Sequence, residues 1–99
     1  MQVRIQSIHF NVSSQLEQFI EKKVGKLEQY YDDIKKVEVS LKVVKPETAE
    51  NKEVGIKITI PNGEFFAEKV KDSFEEAAAE SIEALKIQLQ KFKEKQRNK

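Results

Sequence analysis

Four apolar residues at a spacing of two, Val54, Ile56, Ile58 and Ile60, run directly into Pro61-Asn62-Gly63. Period-two alternation marks a strand with one buried and one solvated face, and Asn-Gly is the strongest short signal for folding such a strand back on a neighbour. The chain is thereby committed to a one-sided hairpin, with Phe65 and Ala67 inward on the returning strand. A second alternation, Val37, Val39, Leu41 and Val43 against Glu38, Ser40 and Lys42, predicts another half-buried strand. A polar loop from about Lys45 to Lys52, containing Pro46, separates the two. A sheet with one apolar face needs helices to cover it.

Two segments have the required period. Leu16, Phe19, Ile20, Val24 and Leu27 recur at helical spacing, Tyr30 and Tyr31 extend the stripe, and Asp32-Asp33 stops it. Ser13 or Ser14 can serve as N-cap, and Ser14 with Glu17 has the spacing of a capping box. Ser73 with Glu76 supplies a second box, after which Phe74, Ala78, Ile82, Leu85, Leu89 and Phe92 form one stripe to about Lys95, a helix roughly 30 Å long. Near the N-terminus Val3 and Ile5 alternate with Gln2, Arg4 and Gln6, and Ile8 and Phe10 resume after a one-residue phase shift at Ser7. This predicts a strand from about residue 2 to 10, bulged near Ser7.

The order is therefore β-α-β-β-β-α. A strand joined to the next through a helix lies parallel to it by a right-handed crossover, and the remaining strands form an antiparallel meander. The predicted fold class is α+β, a four-stranded mixed sheet with both helices packed on one face. Residues 1–99 make a single domain, with about 96–99 as a frayed tail.

Several function classes lack the residues they need. The chain has no cysteine, so neither a disulfide framework nor a thiolate metal site is available, and its one histidine, His9, is too few for a triad or a multi-histidine metal site. His9 reads as a polar side chain on the solvent face of the first strand. Gly25, Gly55 and Gly63 are scattered without phosphate-cradling spacing. The pairs Asp32-Asp33 and Glu75-Glu76 sit at helix ends, where capping and the helix dipole account for them. No enzyme, cofactor, metal or small-molecule substrate is predicted. Apolar runs are only a few residues long and no signal sequence opens the chain, so the expectation is a soluble cytoplasmic protein with no membrane partner.

The formal net charge is only +1. Its distribution carries more information. From Lys86 onward the cations are Lys86, Lys91, Lys93, Lys95, Arg97 and Lys99, against the single acid Glu94, while Glu75 to Glu83 carries only acids among its charged residues. At 100° per residue Lys91 and Lys95 form a ladder on one flank of the apolar stripe, and Lys86, Lys93 and Arg97 recur on the other. The first helix is two-sided as well, with Lys22, Lys23 and Lys26 on one flank and Glu17, Glu21 and Glu28 on the other. Lysines near a helix C-terminus also serve the dipole and solubility, but six cations over about three turns exceed what the last turn can use. If the helices lie side by side, their lysines can form a patch suited to phosphates. Lys42 is expected on the opposite face.

The order of elements, the run Lys26-Leu27-Glu28-Gln29-Tyr30-Tyr31-Asp32-Asp33-Ile34, the strand Val37 to Val43 and the ending Leu85-Lys86-Ile87-Gln88-Leu89-Gln90-Lys91-Phe92-Lys93-Glu94-Lys95 resemble the ribosome hibernation-promoting factor and ribosome-associated inhibitor family, also called the sigma-54 modulation family. The most specific part is the C-terminal Leu-x-x-Gln-Leu-x-Lys-aromatic-Lys-x-Lys signature. The resemblance implies a protein that lies in the decoding channel of the small ribosomal subunit and contacts ribosomal RNA where tRNA and messenger would otherwise sit. It carries over Lys23, Lys26, Lys91, Lys93 and Lys95 as RNA-binding positions; Lys22, Lys86 and Arg97 join them from the local charge pattern alone. Because the chain stops after the second helix it resembles the short type, which leaves room for a separate ribosome-dimerising factor. It departs from the family where it reads Ala77-Ala78-Ala79 in place of a segment that often holds an acid, and at Ile87, where a basic residue is usual. Two other readings fit the same residues: a general double-stranded RNA-binding module, and a protein-interaction adaptor whose lysines serve solubility.

Overall fold

The computed structural model describes residues 1–8, 10–44 and 50–97, with the backbone alone at 96 and 97. Its elements are β1 (Gln2–Ser7), α1 (Ser14–Gly25) continued by a 3-10 turn (Lys26–Gln29), β2 (Lys36–Val43), β3 (Lys52–Ile60), β4 (Gly63–Lys71) and α2 (Phe74–Arg97). The strands form one sheet in the order β1-β2-β3-β4. β1 pairs parallel with β2, through the α1 crossover, and the other two pairings are antiparallel. The α+β architecture predicted from the periodicities is the one observed.

One core joins both helices to the sheet, so both cover the same face. Ile20, Val24 and Leu27 of the first helical unit and Ala77, Ala78, Leu85 and Leu89 of α2 are buried with Val37, Val39, Leu41, Val54, Ile56, Ile58 and Ile60. α2 approaches closely because its inward residues are small where it begins: Ala77, Ala78 and Ser81 are fully buried, and Ser81 donates its hydroxyl to the Val54 carbonyl at 3.3 Å. An acid at 77 or 78 would be forced into that contact, which gives the alanine run a local reason; Ala79 alone of the three is exposed. Phe10 stacks on Phe74 with ring centroids 5.1 Å apart, fastening the segment after β1 to the start of α2. Among the described residues no helix is long and apolar enough to cross a membrane.

Three local expectations need correction. The phase shift at Ser7 ends β1 instead of bulging it: the Ser7 hydroxyl donates to the Phe10 carbonyl at 2.6 Å, turning the chain, and the Ile8 N–H still reaches β2, at Leu41. The first helix is capped by Ser13, whose extended backbone lets its hydroxyl accept from the Leu16 N–H, so the Ser14–Glu17 box does not form. That helix is α-helical only to Gly25, a weak helix former, and then tightens, with the N–H groups of Tyr30 and Tyr31 both donating to the Leu27 carbonyl. In the hairpin Ile60 pairs with Gly63, so Pro61 and Asn62 form the two-residue loop. The Ser73 cap stands as read, accepting from the Glu76 N–H at 3.1 Å. His9 and Pro46 lie outside the described residues.

Candidate nucleic-acid interface

Where α2 sits on the sheet decides where its cations go. Leu85 and Leu89 face the core, which turns Lys86 and Lys93 toward the end of the first helical unit and Lys91 and Lys95 toward β4. The two sets stand about 140–180° apart around the helix axis. Lys93 lines a groove of about 390 Å³ with Gln29, Tyr30, Gln90 and Glu94. Lys86 lies over Tyr30, with its ammonium 5.0 Å from the ring centroid and 3.9 Å from the Glu83 carboxylate. A cation held over an aromatic face is attracted by the ring quadrupole, so Lys86 is positioned by the protein even without a ligand.

On the other flank Lys91 and Lys95 line a cleft of about 270 Å³ with Phe65, Gln88 and Phe92. Phe92 packs edge-on against Phe65 at 5.5 Å and tilts against Tyr31 at 5.8 Å, so a continuous aromatic seam runs under the C-terminal turns. Gln88 donates to the Phe66 carbonyl at 3.2 Å and fastens α2 to the edge strand. Between the flanks Ile87 stands 46 % exposed on the crest of the helix. Among the described residues Lys91, Lys93 and Lys95 have no carboxylate within ion-pair distance, whereas Lys35, Lys36, Lys57 and Lys71 all do. Arg97 lies in the last turn of α2, and its side chain is outside the described residues.

On the first helical unit Lys22 and Lys26 are exposed, and Lys23 is half-buried with its ammonium 5.6 Å from the Phe19 ring centroid. The structure therefore brings Lys86 and Lys93 beside the first helical unit and sets Lys91 and Lys95 apart over β4. The aromatic residues at the base of each flank, Tyr30 on one side and Phe65 with Phe92 on the other, were read in the sequence only as core. Their spacing to the lysines along α2 was visible, but their meeting across elements depends on tertiary packing.

The two grooves differ in chemistry. The first is amide-rich and contains a carboxylate; the second is aromatic at its floor, cationic at its rim and lined by no acid. Both present cations that can meet phosphate oxygens without first breaking an internal ion pair, except at Lys86.

Comparison with known proteins agrees with this architecture. A ribosome hibernation promoting factor of Pseudomonas putida is 32 % identical over 98 residues, covering 99 % of this chain and 92 % of that protein. A ribosomal subunit interface protein of Coxiella burnetii shares the fold with a TM-score of 0.83 at 19 % identity, over 94 % of this chain and 98 % of the other. The N-terminal domain of Thermus thermophilus Protein Y does so with a TM-score of 0.79 at 19 % identity, over 93 % and 99 %. The Sigma 54 modulation protein / S30EA ribosomal protein family matches residues 3–97, and the chain belongs to that family.

Proposed function

We propose that this protein is a ribosome hibernation factor: it binds ribosomal RNA of the small subunit in the decoding channel and inhibits translation by occupying space, without a catalytic step. The observation that carries the reading is the pair of lysine flanks on α2, which among the described residues leave Lys91, Lys93 and Lys95 without internal carboxylate partners. Cations placed this way release condensed counterions when they meet a phosphate backbone, which favours RNA as the partner. The similarity to a ribosome hibernation promoting factor supports the choice of the ribosome among RNA-containing partners. A ribosomal partner places the protein in the cytoplasm.

Lys22, Lys23 and Lys26 contribute from the first helical unit, Lys86 extends the flank that holds Lys93, and Arg97 contributes from the last turn of α2. Sedimentation of the purified protein with small subunits, large subunits and intact ribosomes tests the assignment. The protein should travel with the small subunit and with intact ribosomes. Migration with the large subunit alone, or with neither, would overturn the proposal. Competition between small subunits and free RNA duplexes separates it from a general duplex-binding module, which would be displaced equally by both.

A further inference from the structure

We infer that the cleft between β4 and the C-terminal turns of α2 holds one unstacked nucleotide of RNA, with its base on the Phe65–Phe92 floor and its flanking phosphates on Lys91 and Lys95. This deepens the RNA-binding reading and rests on it. A nucleotide is an anion with a flat apolar body, and the cleft supplies a surface for each part: two rings meeting at 5.5 Å below, two exposed ammonium groups one helical turn apart at the rim, and no acid in the lining. Bases stack on exposed aromatic side chains in single-stranded RNA recognition, and neighbouring cations hold the backbone.

The floor is already in place. Tyr31 also packs on Phe92, at 5.8 Å, so the ring, held by both neighbours, has little freedom to lose on binding. Gln88 has its amide nitrogen committed to the Phe66 carbonyl, which leaves its Oε1 as the acceptor for a base amino group. The groove on the opposite flank has a larger volume, about 390 Å³, but includes Glu94, and Lys86 is already held over its tyrosine. It suits backbone phosphates better than a stacked base. The α2 flanks thus divide the work, with bases read on the β4 side.

Fluorescence anisotropy with a labelled hexaadenylate, and with an abasic phosphodiester chain of the same length and charge, tests the cleft. The protein should bind hexaadenylate at least about ten-fold more tightly than the abasic chain. Phe92→Leu, which keeps apolar volume but removes the ring, should bring the hexaadenylate affinity down toward that of the abasic chain. Lys91→Gln with Lys95→Gln should weaken both. Equal affinity of the unsubstituted protein for the two chains would overturn the base cleft, and that comparison needs no variant to fold. Tighter binding of an acidic leucine-containing hexapeptide than of hexaadenylate, abolished by Phe92→Leu, would overturn it in favour of a protein partner. Small-subunit sedimentation is read in parallel: subunit binding without any preference for bases sinks the cleft alone, whereas absence of subunit binding sinks the function on which it rests.

Discussion

The open face of the sheet and the flanks of α2 are both rich in charge, yet their cations are arranged in opposite ways. Across the open face the strand register sets signs against each other: Arg4 lies opposite Glu38, Glu38 opposite Lys57, and Lys42 opposite Glu53. Lys36 pairs with Glu38 at 3.3 Å and Lys57 with Glu64 at 3.1 Å. Opposite charges on facing strands stabilise the sheet modestly and cancel its field. On α2 the acids are concentrated in the first half and the cations in the last, so Lys91, Lys93 and Lys95 face solvent with no carboxylate paired to them among the described residues. A chain of nearly zero net charge can therefore present one neutral face and one electropositive edge, and placement of unpaired cations says more about its partner than their number.

The sharpest way to break this contrast is to reverse two charges on each region. Lys91→Glu with Lys95→Glu should abolish co-sedimentation with the small subunit while leaving the melting temperature nearly unchanged, because exposed substitutions usually alter stability by less than about 0.5 kcal/mol. Arg4→Glu with Lys42→Glu makes the same change of net charge on the open face and should leave binding near that of the unsubstituted protein. Equal loss in both variants would mean that binding follows overall charge and that α2 has no special place in it.

A core substitution should separate stability from binding. Leu85 is fully buried beneath α2, one residue before the first lysine of the basic end. Leu85→Ala should destabilise the protein by about 2–5 kcal/mol through the cavity it leaves. Chemical denaturation measures this directly, and any weakening of ribosome binding should match the fraction of protein unfolded. Weakening in excess of that fraction would show that Leu85 also fixes the angle at which the lysine flanks are presented.

Salt dependence is a gentler probe of the same electropositive edge. About six phosphate contacts predict a slope near −4 to −5 for log K against log salt, at −0.7 to −0.9 per contact. Replacing Lys23 and Lys26 by alanine should reduce its magnitude by about one to two units. Lys23 lies against Phe19, so its contribution tests whether a cation held on its own helix still reaches phosphate. A slope close to zero for the unsubstituted protein would instead favour an adaptor that binds through neutral surface.

Most of the architecture was legible because it depends on local periodicity. The strands β2 and β3 show strict alternation, and the two flanks of α2 follow from 100° steps once Leu85 and Leu89 are placed inward. What escaped depends on contacts between distant segments. Nothing near Ser7 signals that its hydroxyl is taken by the Phe10 carbonyl and that β1 therefore stops early. Gly55 stands mid-strand, where glycine is normally unfavourable, and only the register explains it: a Cβ there would lie 3.2 Å from Ser40 Oγ and 3.3 Å from the Phe66 ring. The aromatic floor beside Lys91 and Lys95 was hidden for the same reason, since Phe65 and Phe92 are 5.5 Å apart in space but belong to a strand and a helix.

The smallest expected effect tests whether the open face is as self-compensated as the register implies. The hydrogen bond and charge of Glu64 raise the pKa of Lys57 above its ordinary value of 10.5, with a smaller contribution from Glu38. A raised lysine pKa means that the folded state holds the proton more tightly than the unfolded chain does. The stabilisation is therefore fully present below the ordinary lysine pKa, including neutral pH, and is lost only as pH rises through the elevated folded value. NMR titration of the Lys57 side chain should show a midpoint above that of a free lysine, and Glu64→Gln should bring it down toward the ordinary value. Ribosome binding at neutral pH should not respond to this substitution, because Lys57 stays charged and lies on the face away from α2. A Lys57 midpoint at or below the ordinary value would mean that the pair does not persist in solution. Weaker ribosome binding in Glu64→Gln would further place part of the interface on the sheet, and the division between a neutral face and an electropositive edge would then fail.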